Sequence, residues 1–364
     1  MSSSNYLVDA TSEAHDDDIW ALKYTSVGLL SGSADGTIKL WDPANPSEAR
    51  STMTPSTSGG RKPTSIVGLD VENTNKAPTY AISCTIDSRI SRFSLLEDSL
   101  GKEEATWTAP KNKSPGGCWS VSIHPDSEKQ IFATSGVGSE ILILSSVVDT
   151  FGQEKMKLAG RGEFSTCLYS PDGRTLAVVS NTGQLALHDA ESGDLVQIIT
   201  AHTGNIRSLA YSPDSSLVIT GGDDKQINVY DVRGLTAIGR EAQSQDYRQT
   251  NGSSSMRSRY SSVGQQVANL SGHTGWVLSL SCRGDGRVFA SSSTDGTIRL
   301  WDLAKPSSPC LSVLREHESD VWAIDWAPMA PSSGVDSLLG GSIGGGKFAS
   351  GGKDGQIRWW RSAG

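Results

Sequence analysis

No run of apolar residues in this 364-residue chain approaches the roughly 20 that a bilayer-crossing helix needs. The start, Met1-Ser2-Ser3-Ser4-Asn5, lacks the basic and apolar segments of a secretory leader. Positive charge is in short supply. The 32 Lys and Arg against 40 Asp and Glu leave a formal net charge of -8, which argues against a surface that tracks nucleic-acid phosphates. Cysteine is scarce as well. Cys84, Cys118, Cys167, Cys282 and Cys310 form no C-x-x-C pair and have no histidine at ligand spacing, so no metal and no cofactor is expected. An odd count without a leader fits a reducing intracellular compartment. Glycine, by contrast, is plentiful at 39 residues, as a fold with many tight turns requires.

Those turns recur in register. The stretch from Gly272-His273 runs through an apolar segment, VLSLSC, then VFASSS, the turn Thr294-Asp295-Gly296, and TIRLWD. Three short strands with turn signals between them read as an antiparallel meander. Ser291, Asp295 and Trp301 stand four and then six residues apart, after His273. The same register returns as Ser31, Asp35, Trp41 after His15; as Thr220, Asp224, Tyr230 after His202; and as Ser350, Asp354, Trp360 after His317. A Gly-His start and a Trp-Asp end at this length mark a propeller blade of the WD-repeat type.

The residue types follow from burial. Asp in the turn accepts from the His ring, the His reaches the Ser or Thr hydroxyl, and that hydroxyl reaches the Trp indole, so each buried polar group has a partner. Ser, His and Asp also suggest a hydrolase. A nucleophile, however, needs an exposed hydroxyl, a cleft and oxyanion donors, and here the set repeats once per blade with its Ser inside a strand. The chain is therefore expected to be no enzyme.

Seven blades can be counted, giving an all-β seven-bladed propeller as a single domain over 1–364. Blade two keeps Ser83, Asp87 and Phe93 in register without a matching His, and blades three and four have lost more of the set. Three long loops are expected at about 43–63, 234–265 and 328–346. The last repeat ends after its third strand at Trp360, so the lone strand Tyr6–Asp9 is expected to complete it and close the ring, removing two free edges.

The two larger insertions fall on one face, which leaves the other with short turns. Little entropy is lost when a partner docks on such a rim. The residues leading into the first strand on that face are aromatic. Trp20, Trp119 and Trp322 share one position, which holds Arg207 in blade five and Leu278 in blade six. Two residues earlier stand Asp18, Asp320, Glu163, Asn205 and Trp276. Trp and Arg dominate interface hot spots. The competing reading is that these Trp side chains wedge between blades.

The segments AHDDDIW, RGEFSTCLYSPDG, NIRSLAYSPDS, SGHTGWVLSLS and the ending QIRWWRSAG, with the blade order, resemble the WD-repeat subunit of the Ski (superkiller) complex, fungal type. The resemblance implies a non-catalytic scaffold. It would join a tetratricopeptide-repeat subunit to a DExH-box RNA helicase and support 3′-to-5′ mRNA decay by the exosome. A cytoplasmic place, with a nuclear role in meiotic recombination, follows from the same resemblance, as does a short Gln-Arg-type motif on the short-turn face, held by Trp20, Trp119, Arg207 and Trp322. The protein is expected to be monomeric on its own and to make no direct contact with nucleic acid or membrane. The alternative is a WD adaptor of another assembly, such as a ubiquitin-ligase substrate receptor or the polymerase-associated factor complex.

Overall fold

A computed structural model describes residues 6–57, 64–72, 77–109, 117–137, 140–159, 163–233, 264–305, 310–329 and 346–363. Among these residues the chain forms seven four-stranded antiparallel sheets and two one-turn 3-10 segments, Glu97–Ser99 and Val148–Thr150. The innermost strands are Ile19–Thr25, Ile66–Val71, Ser120–Ile123, Phe164–Tyr169, Ile206–Tyr211, Val277–Cys282 and Val321–Trp326. They pack side by side in chain order, and the seventh returns to the first. This is the seven-bladed propeller that the repeats imply.

Closure is made by Tyr6–Glu13, antiparallel to Gln356–Ser362. The closing strand is longer than the Tyr6–Asp9 expected from its apolar residues, because Ser12 also has a partner. Trp359 Nε1 donates to Ser12 Oγ at 2.8 Å, and Arg361 Nε donates to Asp9 Oδ1 at 2.7 Å. The expected loop at 43–63 is a correction: Asn45–Met53 is the outermost strand of blade one. Its Pro46, Glu48 and Arg50 hide it in the sequence, yet an outer edge tolerates proline and charge that an interior strand would not. Residues 58–63, 234–263 and 330–345 of the expected loops lie outside the described residues, and Gln265 already belongs to a strand, Gln265–Leu270.

The core lies between blades rather than at the centre of the ring. Ile19, Leu29 and Trp41 of blade one meet Ala349, Ile357 and Trp359 of blade seven, all buried. Burying one such aliphatic or aromatic side chain contributes about 1.5–3 kcal/mol. Close approach is set by Gly32, Gly221 and Gly351. A Cβ on each would lie 2.5–2.7 Å from Ile66, Val277 and Ile19, the first apolar residues of the next innermost strands.

The innermost strands present free backbone donors to the central channel, and neighbouring blades cap several of them. Asp325 Oδ2 accepts from Tyr24 N and Asp70 Oδ2 from Ile123 N, both at 2.7 Å. Ser122 Oγ accepts from Tyr169 N at 3.1 Å. Lys23 Nζ stands 2.9 Å from Asp70 Oδ1, and that carboxylate pushes the lysine pKa up. Burial raises the Asp325 carboxyl, with Lys23 opposing. The channel, about 550 Å3, is thus lined by polar groups that hold blades together.

One tyrosine pair shows how local the accounting is. Tyr211 and Thr175 exchange a hydroxyl hydrogen bond of 2.9 Å across blades five and four. Tyr169, one blade earlier, faces the strand that begins at Ile131 where Thr175 begins its own, and its hydroxyl is buried without a partner. Tyr211→Phe is expected to cost about 1–1.5 kcal/mol, whereas Tyr169→Phe should be neutral or stabilising, both read by chemical denaturation.

Candidate protein-docking face

The tetrads are built as their spacing suggests in blades one and six. His15 Nδ1 donates to Asp35 Oδ2 at 2.9 Å, Ser31 Oγ lies 2.7 Å from His15 Nε2, and Trp41 Nε1 donates to Ser31 at 2.9 Å. The matching distances for Asp295, His273, Ser291 and Trp301 are 2.9, 2.8 and 2.8 Å. Each Asp also accepts from the backbone and hydroxyl of Thr37 or Thr297, two residues on, a side-chain-closed turn that the tetrad pattern leaves out. Burial raises the Asp35 and Asp295 carboxyls, but the bonds from His and Thr outweigh it and hold both well below the ordinary range. Ser31, Ser291 and Ser350 are fully buried, so none is an accessible nucleophile.

Two tetrads depart from the expectation. In blade five His202 meets Asp224 and Thr220 at 2.8 Å each, but the Tyr230 hydroxyl turns to the Ala201 carbonyl at 3.4 Å and does not reach Thr220. A phenol ring carries its donor farther from the strand than an indole does. In blade seven Ser350 keeps His317 and Trp360 at 2.7 and 2.8 Å, yet His317 and Asp354 stand 3.7 Å apart with Arg358 bonded to both. Blade two substitutes Thr64 for the missing histidine, its hydroxyl donating to Asp87 at 2.7 Å, and blade three sets Cys118 Sγ 2.7 Å from Thr134 Oγ1.

Trp20 and Trp322 owe their direction to a backbone device. Six of the seven innermost strands shift register near their start, so that one residue has no opposite number: Trp20, Val67, Ser165, Arg207, Leu278 and Trp322. A bulge re-aims its extra side chain, here toward the face of the turns between second and third strands. That face is not short-turned throughout as expected: once Asn45–Met53 is a strand, residues 54–65 join blades one and two across it, and residues 109–119 join blades two and three. The residue two earlier offers its carbonyl to the next turn of its own blade. Ala34 N donates to Asp18, Asn181 N to Glu163, Asp223 N to Asn205, Thr294 N to Trp276 and Lys353 N to Asp320. The rim is fixed in this way before any partner arrives.

The structure sorts the expected site residues into three places. Trp20 and Trp322 stand together, centroids 6.3 Å apart and tilted 57°. Trp20 Nε1 is 3.5 Å from Asp18 Oδ2, while Trp322 Nε1 has no partner at hydrogen-bond distance. Burial, with Asp17 nearby, raises the Asp18 carboxyl against the Trp20 donor and Lys353. Asp320 is half-buried on the same side. Arg207 and Trp276 form a second cluster: the guanidinium lies 4.4 Å over the Trp276 ring and is ion-paired to Asp223. This arginine is neutralised by its own blade. Trp119 stands apart, 44% exposed, after Gly117, which packs on the backbone of Ile86, itself 40% exposed. Ile86 and Asp223 were not found from sequence. Each sits in a turn whose side-chain direction depends on the tertiary fold.

Among the described residues no group of three or more His, Cys, Asp or Glu is placed to hold a metal ion, and no helix is long and apolar enough to cross a membrane. The family model "WD domain, G-beta repeat" matches residues 9–42, 193–231, 264–302 and 308–361. The chain is 30% identical over 238 residues to meiotic recombination protein rec14 of Schizosaccharomyces pombe, covering 62% of this chain and 70% of that protein. It is 26% identical over 227 residues to WD repeat-containing protein SL1-17 of Schistosoma mansoni, 61% and 69% of the two chains. It is also 27% identical over 225 residues to human striatin-4, 60% of this chain and 28% of that protein. Register, tetrads and relatives agree: this chain is a member of the WD-repeat family of propellers, whose typical work is to mediate contacts between proteins.

Proposed function

We propose that the protein is a non-catalytic scaffold whose Trp20–Trp322 face grips a short partner segment carrying an arginine. The Trp20–Trp322 pair beside Asp18 carries this reading. Indole faces attract a guanidinium, and a half-buried carboxylate with Asp320 near it supplies the opposite charge. Trp119 with Ile86 offers an apolar shelf on the same face. The partners in this reading are the tetratricopeptide-repeat subunit and the DExH-box helicase of a Ski-type complex, with the exosome downstream in cytoplasmic mRNA decay. A nuclear role in meiotic recombination is favoured by the likeness to rec14.

Affinity purification from the source organism tests the assembly, since copurifying helicase and tetratricopeptide subunits are expected. Trp20→Ala and Trp119→Ala, tested singly, should each weaken capture of those subunits by about 2 kcal/mol, roughly 30-fold. Trp119→Ala should barely move the melting temperature. Capture unchanged per folded molecule would refute the assigned face.

A further inference from the structure

The tetrad histidines occupy the same place in their blades but not the same bonding state. His15, His202 and His273 turn Nδ1 to a carboxylate, which can only accept. Nδ1 therefore carries their proton, and Nε2 accepts from the hydroxyl. Blade seven is wired differently. Arg358 Nη1 donates to His317 Nδ1 at 2.8 Å and to Asp354 Oδ2 at 2.6 Å. A guanidinium has donors and no acceptor, so His317 Nδ1 must accept and the proton sits on Nε2, donated to Ser350 Oγ. At the same strand position Lys39 and Asn228 turn instead to the carbonyls of Ala14 and Ala201, at 2.6 and 2.7 Å.

The groups that face His317 are Arg358 from the last strand, Asp354 from the adjoining turn, Ser350 from the strand between, and Glu316 on its own loop. Burial lowers the His317 pKa and Arg358 adds to this, while Asp354 and Glu316 oppose it. The turn that Asp354 anchors also supports the aromatic pocket. Gly355 O accepts from Ala14 N and His15 N, both at 3.0 Å, on the segment leading to Asp18 and Trp20. Lys353 N donates to Asp320 O at 2.9 Å, two residues before Trp322.

We propose that Asp354, Arg358 and His317 form an acid-sensitive latch on the Trp20–Trp322 pocket. A proton added at His317 Nδ1 sets one donor against another, breaks the contact with Arg358 and releases the turn that holds both segments of the pocket. In the other three tetrads Nδ1 already donates to its carboxylate, so a further proton leaves that bond in place. The sign follows: a histidine with a lowered pKa binds fewer protons folded than unfolded, so its contribution is present above the unfolded pKa of about 6.5 and is lost as pH falls below it. The consequence for binding rests on the docking reading; the latch chemistry does not.

Imidazole 15N spectra at neutral pH are expected to show an Nε2-protonated His317 and Nδ1-protonated His15, His202 and His273. Arg358→Lys, which copies the blade-one arrangement, should switch His317 to the Nδ1 form bonded to Asp354. Protection of the Ala14 and His15 amides against hydrogen exchange should fall several-fold between about pH 7.5 and about pH 5.5 in the wild type and hold in Arg358→Lys. Should that variant misfold, the wild-type measurements decide alone. An Nδ1-protonated His317, or protection indifferent to acid, would overturn the latch. Neither readout involves a partner, so failure here is separable from failure of the capture experiment.

Discussion

Trp360→Ala is expected to destabilise the protein by about 3–5 kcal/mol, read as a shift of the denaturation midpoint. Trp360 is almost fully buried, stacks on Phe348 with centroids 5.4 Å apart and planes at 10°, and donates to Ser350. Phe348 in turn touches Tyr6 of the closing strand, so a cavity here undermines the seam of the ring. Trp360→Phe separates the two contributions. It keeps the stack and removes the donor, at an expected cost of about 1–2 kcal/mol. Blade two already displays that outcome: Phe93 stands at this position and the Ser83 hydroxyl is buried without a partner. A loss for Trp360→Ala no larger than for Trp360→Phe would mean that the stack is not what holds the blade.

Asp285→Ala should cost about 3–5 kcal/mol. Arg283 is fully buried between blade six and the closing strand. Its Nε and Nη2 donate to Asp285 at 2.9 and 2.5 Å, and its Nη1 donates to the Tyr6 hydroxyl at 3.3 Å. Removing the carboxylate takes both charge-assisted bonds to Asp285 away from a buried guanidinium. The double change Arg283→Met with Asp285→Leu removes both charges and should lie closer to the wild type than Asp285→Ala does. If the single and double variants unfold at the same denaturant concentration, packing rather than charge governs this junction.

Blades one, five, six and seven could be read from the sequence because their polar residues recur at fixed offsets, and burial forces those residues to find one another. The middle blades were readable only by register, since Thr64 and Cys118 do work that no motif announces. The strand Asn45–Met53 stayed hidden because an outer edge accepts Pro46 and Arg50 as readily as a loop does. The residues proposed here for docking are visible as a recurring position in the sequence, but their grouping is not. Which indole meets which carboxylate is decided by a one-residue slip between strands, and periodicity does not register that slip. Arg358 escaped notice for a related reason. At its position Lys39 and Asn228 reach a carbonyl and Arg299 leaves the His273–Asp295 bond intact, so only the three-dimensional placement shows the Arg358 side chain inserted between histidine and aspartate.

The seam described above also sets an order of events. Ser12 and Trp359 are 347 positions apart in the chain, yet their side chains share a hydrogen bond. During synthesis Tyr6–Glu13 must wait, unpaired, until nearly every other sheet has been made. Contacts of such separation slow folding. A strand left waiting can pair with the last sheet of a neighbouring copy, so crowding of nascent chains on polysomes favours misassembly of this ring.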